Sequence, residues 1–243
     1  MKNVMQRLRA IRVVLVEPSH PGNVGAAARA MKTMGLGELA LVAPQRFPHA
    51  EATALASGAA DILQDAAVYE TLEAAVADCT LVVGSSARAR RLAVPPHDAR
   101  TAALRVAGLA PQERPAIVFG RERTGLTNAE LDRCHWLMQI PANPAYSSLN
   151  LAAAVQVVCY ELRMAMSADG ATASGEAPAP AGDMERFYEH LERVLVATGF
   201  LDPQAPKLLM RRLRRLFQRA RPDRNEVNIL RGILTSVERL RQR

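Results

Sequence analysis

Four short stretches hold the groups in this chain that could do chemistry. The longest is Ile140 to Glu161, IPANPAYSSLNLAAAVQVVCYE. Pro141, Asn143 and Pro144 make its opening a turn-rich loop, because none of them suits a strand or a helix interior. Ser147 and Ser148 then stand where a helix N-cap is wanted, and Leu149, Leu151, Ala152, Val155, Val158 and Leu162 follow at helical spacing. A polar loop that empties onto a helix N-terminus presents donors to a ligand. Asn23 to Arg29, Phe119 to Leu126 and Gly84-Ser-Ser-Ala-Arg88 share this character.

The joint inventory is amide, hydroxyl, guanidinium and carboxylate: Asn23, Arg29, Ser85, Ser86, Arg88, Glu122, Ser147, Ser148 and Asn150. It holds no Ser/His/Asp or Cys/His arrangement and no metal-ligand set. Hydrolysis by a nucleophile or a metal is therefore disfavoured. Such groups position a substrate and stabilise charge, which suits transfer from a cofactor that carries the difficult chemistry itself.

The elements that must position these groups read as a parallel α/β domain. Ile11–Val16, Leu39–Val42, Leu81–Gly84, Ala116–Phe119 and Trp136–Ile140 are short, apolar and strand-like. Helices are expected after Gly22 or Asn23 as cap, near Ala50–Ser57, near Leu72–Ala77, over Thr101–Ala107, and from the capping box Thr127-Asn-Ala-Glu130. The strand–helix–strand rhythm implies crossover connections and a parallel sheet. Ligands then bind outside the carboxyl ends of the strands, where the four stretches converge. Gly35-x-Gly37-x-x-Ala40 follows a helix and precedes a strand, the reverse of a dinucleotide fingerprint.

This domain is expected over residues 1–166. Residues 167–182, rich in Ala, Gly, Pro and Ser, read as a flexible linker. Residues 183–243 read as a small helical domain. Its first helix is capped by Asp183, with Met184, Phe187, Tyr188, Leu191, Val194 and Leu195 inward, and ends at Gly199. In its second, Leu209, Leu213, Leu216, Phe217 and Ala220 share a stripe opposite Arg211, Arg212, Arg214, Arg215 and Arg219. A third starts near Asp223-Arg-Asn-Glu226.

The net charge is +7, and it is unevenly placed. Residues 203–243 hold 12 Lys+Arg against 3 Asp+Glu. A cationic end on a nearly neutral body points to a polyanionic partner, nucleic acid before membrane. No apolar run reaches the roughly 20 residues that span a bilayer, and the first one, Val13–Val16, stops at Glu17, so a cytoplasmic protein is expected. Cys79, Cys134 and Cys159 are too few and too widely spaced for a disulfide framework or a zinc site. Asp132, Cys134 and His135 read as a helix end running into a buried strand.

Asn23-Val-Gly-Ala-Ala-Ala-Arg29-Ala, Phe119-Gly-Arg-Glu122-Arg-Thr-Gly-Leu126, and Ile140-Pro141 followed by Ser147-Ser-Leu-Asn150-Leu-Ala resemble the three motifs of the SPOUT RNA 2′-O-ribose methyltransferases. Beyond the linker, Leu191-Glu to Phe200 and Leu213-Arg-Arg-Leu-Phe to Asn228-Ile-Leu-Arg-Gly-Ile-Leu resemble the helical extension of the TrmJ family, which modifies cytidine or uridine 32 in the tRNA anticodon loop. The resemblance implies a SPOUT domain with a trefoil knot near its C-terminal end, and S-adenosylmethionine as cofactor. It implies cofactor contacts at Ser85, Ser86, Ala87, Gly120, Ile140, Ser147, Ser148 and Leu149. Arg29 matches the principal catalytic residue, acting across a homodimer on the other subunit's site. Asn23 and Glu122 match supporting residues, and Ser148 and Asn150 match polar positions beside the methyl donor. The RNA contacts are expected at Arg88, Arg90, Arg211, Arg212, Arg214 and Arg215. Two alternatives remain: an RNA-binding protein with a degenerate cofactor pocket, and a methyltransferase of the same fold acting on ribosomal RNA.

Overall fold

The computed structural model describes residues 2–86, 97–167 and 177–241 of the chain. Five strand-forming runs become the centre of a seven-stranded sheet: β1 (Arg12–Val16), β2 (Glu38–Val42), β4 (Leu81–Ser85), β6 (Pro115–Phe119) and β7 (Trp136–Gln139). Two short strands, β3 (Ala67–Tyr69) and β5 (His97–Asp98), form its edges. The order is β3-β2-β1-β6-β4-β7-β5 and every pairing is parallel. All five residues of β1 are buried, as expected of a strand covered on both faces. Its side chains alternate: Val13 and Leu15 join one core, Val14 and Val16 the other.

The larger core lies under α1 (Lys2–Arg9), α2 (Pro21–Met34), α3 (Ala50–Ala56), α4 (Ala60–Gln64), α6 (Ala99–Ala107) and α8 (Leu151–Ser167). On the opposite face sit α5 (Leu72–Val76) and α7 (Asn128–Arg133). The capping box of α7 forms as expected, Thr127 with Glu130. At the amino end of the sheet, Arg12 is buried and binds Glu38, Asp78 and the Ala75 carbonyl. Burial alone lowers its affinity for a proton, and the bonds to Asp78 and Glu38 reverse that, so the guanidinium stays charged. Cys79, Cys134 and Cys159 are buried, reduced and pushed up to about 12 by that burial.

Three helices follow: α9 (Ala181–Ala197), α10 (Leu209–Ala220) and α11 (Arg224–Arg241). Phe187, Tyr188, Val194, Val227 and Leu234 form their own core. Two expectations for this region need correction. Residues 177–182 are not a loose linker: Pro178 bridges Asp223, and the Ala181 and Gly182 amides donate to the Cys79 and Ala77 carbonyls. Ser167, the first residue of the expected linker, ends α8, and 168–176 lie outside the described residues. Nor does α10 bury its leucine stripe. It has no buried residue, and Leu216 is 48% exposed. Arg211 and Arg214 turn inward instead, to Asp132 (2.7 Å) and Glu185 (2.5 and 2.8 Å). The Arg214 guanidinium also lies 4.4 Å from the Tyr188 ring centroid. Long arginine stems cover apolar surface while their heads find carboxylates. Among the described residues, no helix is long and apolar enough to cross a membrane.

Gly25 sets how closely α2 and α3 approach. A Cβ there would sit 2.0 Å from the Ala52 carbonyl oxygen and 2.8 Å from its carbon. Backbone cannot rotate away as a flexible side chain could, so Gly25→Ala must part the two helices. That outweighs the gain in helix propensity of about 1 kcal/mol. We predict a loss of roughly 1–3 kcal/mol in urea denaturation. An unchanged or raised midpoint would contradict this packing.

Candidate active site

The loops at the carboxyl ends of β1, β4, β6 and β7 come together, and one carboxylate links three of them. Glu122, in the loop after β6, accepts from the Ser19 amide at 3.2 Å, the Ser19 hydroxyl at 2.9 Å and the His20 amide at 3.3 Å. It also accepts from Asn23 Nδ2 at 3.0 Å. Asn23 Oδ1 in turn accepts from Asn150 Nδ2 at 2.9 Å. Asn150 Oδ1 closes the chain by accepting from the Ala152 and Ala153 amides at 2.9 and 3.3 Å. Asn150, not Ser147 or Ser148, is thus the cap of α8. Asn23 likewise does not cap α2, which opens on Pro21 with His20 as an N-cap that makes no side-chain bond. Both asparagines are of the type that serves a local cap, and tertiary partners redirect one of them.

Burial pushes the Glu122 carboxyl up. The bonds from Asn23 and Ser19 outweigh this and bring it down to about 2. It is therefore ionised and occupied, which makes it a clamp and a poor proton acceptor. Its neighbour Arg121, not anticipated from the sequence, fixes the same loop. It binds Glu17 at the end of β1 and both carboxylate oxygens of Glu130 at 3.0 Å. The signal was present in the acids that flank the loop, but their pairing is visible only in the fold.

Beside this clamp lies a cleft of about 160 Å³. Ser85, Ser86, Gly120, Ile140, Ser147, Ser148 and Leu149 all line it, as does Glu122. Phe119, Leu126, Leu151 and Ala154 add apolar wall; the first three lie within the motifs but were not among the expected cofactor contacts. Ala87, Arg88 and Arg90 lie outside the described residues. Asn23, Arg29 and Asn150 do not line the cleft of the single chain. Arg29 is exposed on α2, with no ion pair among the described residues. Gly120 has a reason within its own loop to be glycine: a Cβ would meet Gly125 and Leu126 backbone at 2.2 and 2.3 Å. Gly120 shapes the loop before it shapes the pocket, so a bulky residue there would disrupt both.

The second cluster of cations is divided. Arg211 and Arg214 are held by Asp132 and Glu185, while Arg212 is exposed and Arg215 half-exposed, without ion pairs among the described residues. Gln218 donates to the Asp132 and Cys134 carbonyls, and Arg221 pairs with the buried Glu113. His135 beside them accepts from the Val82 amide on Nδ1, and burial pushes it down to about 4. Asp132, Cys134 and His135 thus join the helix end to the sheet and to α10.

Comparison with known proteins covers both parts of the chain. The family described as SpoU rRNA Methylase matches residues 10–160. The family described as tRNA methyltransferase TrmJ, C-terminal domain, matches residues 182–243. The tRNA (cytidine/uridine-2′-O-)-methyltransferase TrmJ of Cronobacter sakazakii is 55% identical over 237 residues, 95% of this chain and 97% of the relative. The crystal structure of TrmJ from Z. mobilis ZM4 superposes with a TM-score of 0.83 at 36% identity, covering 93% of this chain and 98% of that one. A probable methylase family protein from Haemophilus influenzae Rd KW20 is 46% identical with a TM-score of 0.65, covering 97% and 98%. With both family matches in sequence order and near-complete overlap with such relatives, the chain belongs to the SpoU methylases and, among them, to the TrmJ tRNA methyltransferases.

Proposed function

We propose that this chain transfers a methyl group from S-adenosylmethionine to the ribose 2′-hydroxyl of nucleotide 32, cytidine or uridine, in the tRNA anticodon loop. The observation that carries this reading is the cleft itself: motif residues from separate loops line one cavity, held by the Glu122–Asn23–Asn150 chain. Its lining fits a nucleoside-bearing sulfonium. Ile140, Leu149 and Leu126 offer apolar wall, and Ser85, Ser147 and Ser148 offer hydroxyls. The cofactor, when bound, would supply the electrophilic methyl group, its S–CH3 bond breaking to leave S-adenosylhomocysteine as the O–CH3 bond forms, with the 2′-hydroxyl proton passing to solvent.

The chain's own residues do the rest. Ser147 and Ser148 hold polar atoms beside the transfer point, and the clamp keeps their loop in register with α2. Arg29 holds a phosphate and stabilises the developing 2′-alkoxide, because a guanidinium is a strong multidentate donor and a poor base. It stands off the cleft of its own chain, which supports a homodimer in which it completes the partner's site. We also propose the knot near the C-terminal end of residues 1–166, a contribution to RNA affinity from the helical unit expected over 183–243, and a cytoplasmic location where tRNA is found. Arg88, Arg90, Arg212 and Arg215 are the arginines proposed for RNA contact, with Arg211 and Arg214 acting through the ion pairs that seat α10.

Mass-spectrometric mapping of tRNA treated with protein and S-adenosylmethionine tests this reading. A 2′-O-methyl group at nucleotide 32 is expected. Methylation of ribosomal RNA alone would favour the ribosomal alternative, and tRNA binding with no cofactor affinity by calorimetry would favour a binding module.

The site itself can be probed in three ways. Arg29→Ala should lower turnover by roughly 10²–10³-fold while cofactor affinity by calorimetry stays unchanged; near-normal turnover would remove Arg29 from catalysis. Glu122 titrates lower in the folded chain than its ordinary value of 4.5, so its stabilisation is present above that pH and lost as pH falls toward about 2. Wild type should therefore lose more thermal stability than Glu122→Gln across that window, and parallel losses would contradict the clamp. Finally, Arg212→Gln with Arg215→Gln should flatten the salt dependence of tRNA filter binding. The slope of log K against log salt should fall by about 0.7–0.9 for each phosphate that is no longer neutralised. An unchanged slope would make that face a solvated surface only.

A further inference from the structure

Tyr146 is the most exposed large apolar side chain among the described residues, at 81%. The chain has only ten aromatic residues, and most are put to packing. Phe187, Tyr188 and Phe217 stack in the core of the helical unit, Phe119 is buried in the sheet, and Trp136 lies beneath Arg105. A scattered exposed apolar residue needs no explanation. An exposed ring one residue before the wall of the active-site cleft, on a braced stem, does.

The bracing is local and specific. The Tyr146 amide donates to the Asn143 carbonyl at 2.9 Å, and the Ala145 amide donates to Asn143 Oδ1 at 3.0 Å. Pro141 and Pro144 restrict the same turn. On the other side Ser147 and Ser148 line the cleft, and Asn150 is tied to Asn23. The ring is thus presented with little backbone freedom left to lose on binding.

We propose that Tyr146 is a nucleobase-stacking site, which holds a base of the single-stranded RNA segment entering the cleft. The inference rests on the RNA methyltransferase reading above and adds a binding residue to it. Single-stranded RNA loops are recognised by bases splayed onto aromatic rings. Stacking is indifferent to base identity, since every base has a π-face. A stacked pyrimidine would keep its ribose beside Ser147 and Ser148 whether it is cytidine or uridine, so one site would accept both.

The test uses the full chain with Tyr146→Ala and Tyr146→Phe. Filter binding of tRNA across a salt series is read separately from methyl transfer, cofactor affinity and oligomeric state. Tyr146→Ala should weaken tRNA binding roughly tenfold or more, with an unchanged salt slope, because stacking releases no counterions. The loss should appear as a raised KM for tRNA more than a lowered kcat, and Tyr146→Phe should restore both. Wild-type tRNA affinity in Tyr146→Ala would overturn the proposal. So would a loss of cofactor affinity or of the oligomer, which would assign the ring to the pocket or to a subunit contact. A wild-type chain that binds tRNA but transfers no methyl group would contradict the enzymatic reading alone, and the binding series would still decide the stacking site.

Discussion

The site depends on one carboxylate that has no freedom left. Glu122 draws the Ser19 and His20 amides, the Ser19 hydroxyl and the Asn23 amide onto two oxygens. These donors sit at the start of α2, where the helix field favours a negative charge. Because Asn23 passes its other end to Asn150, the loop after β6 fixes both the entry to α2 and the entry to α8. Removing the charge would leave several donors facing one another. The cleft lies beside this hydrogen-bond chain, which ties together the loops that wall it. Arg121 repeats the logic one residue away, using Glu17 and Glu130.

What the sequence reveals follows from how local each interaction is. Val13 to Val16 and Ile117 to Phe119 read as strands because their burial needs only apolar, β-branched residues. The edge strand Ala67–Tyr69 is not legible: it is three residues long and half-solvated, with no run to detect. Asn23 reads as a cap because asparagine usually serves the nearest amides, and only the distant Glu122 shows otherwise. The motif serines can be placed at one edge because strand ends in a parallel sheet share a side. The roles of Arg121 and Gly120 cannot, since their partners lie across a folded loop.

A helical wheel of residues 209–220 separates leucines from arginines and suggests a detached cationic module. In the fold, Asp132 and Glu185 reach Arg211 and Arg214, and Glu113 reaches Arg221. The helical unit is seated on α7 and the sheet by these pairs and by the amides of Ala181 and Gly182. Part of the positive charge therefore fixes the orientation of the unit, while Arg212 and Arg219 are exposed.

Glu122, Asn23 and Asn150 join three loops into one assembly. A double-mutant cycle on S-adenosylmethionine affinity, using Glu122→Gln, Asn150→Ala and the pair, measures that directly by calorimetry. Glu122 and Asn150 each bond to Asn23, so coupling between them reports on that chain. We predict an interaction energy of about 1 kcal/mol, with the second substitution costing less once the first is made. Additive effects would mean that the loops hold their positions independently and that the hydrogen-bond chain does not build the site.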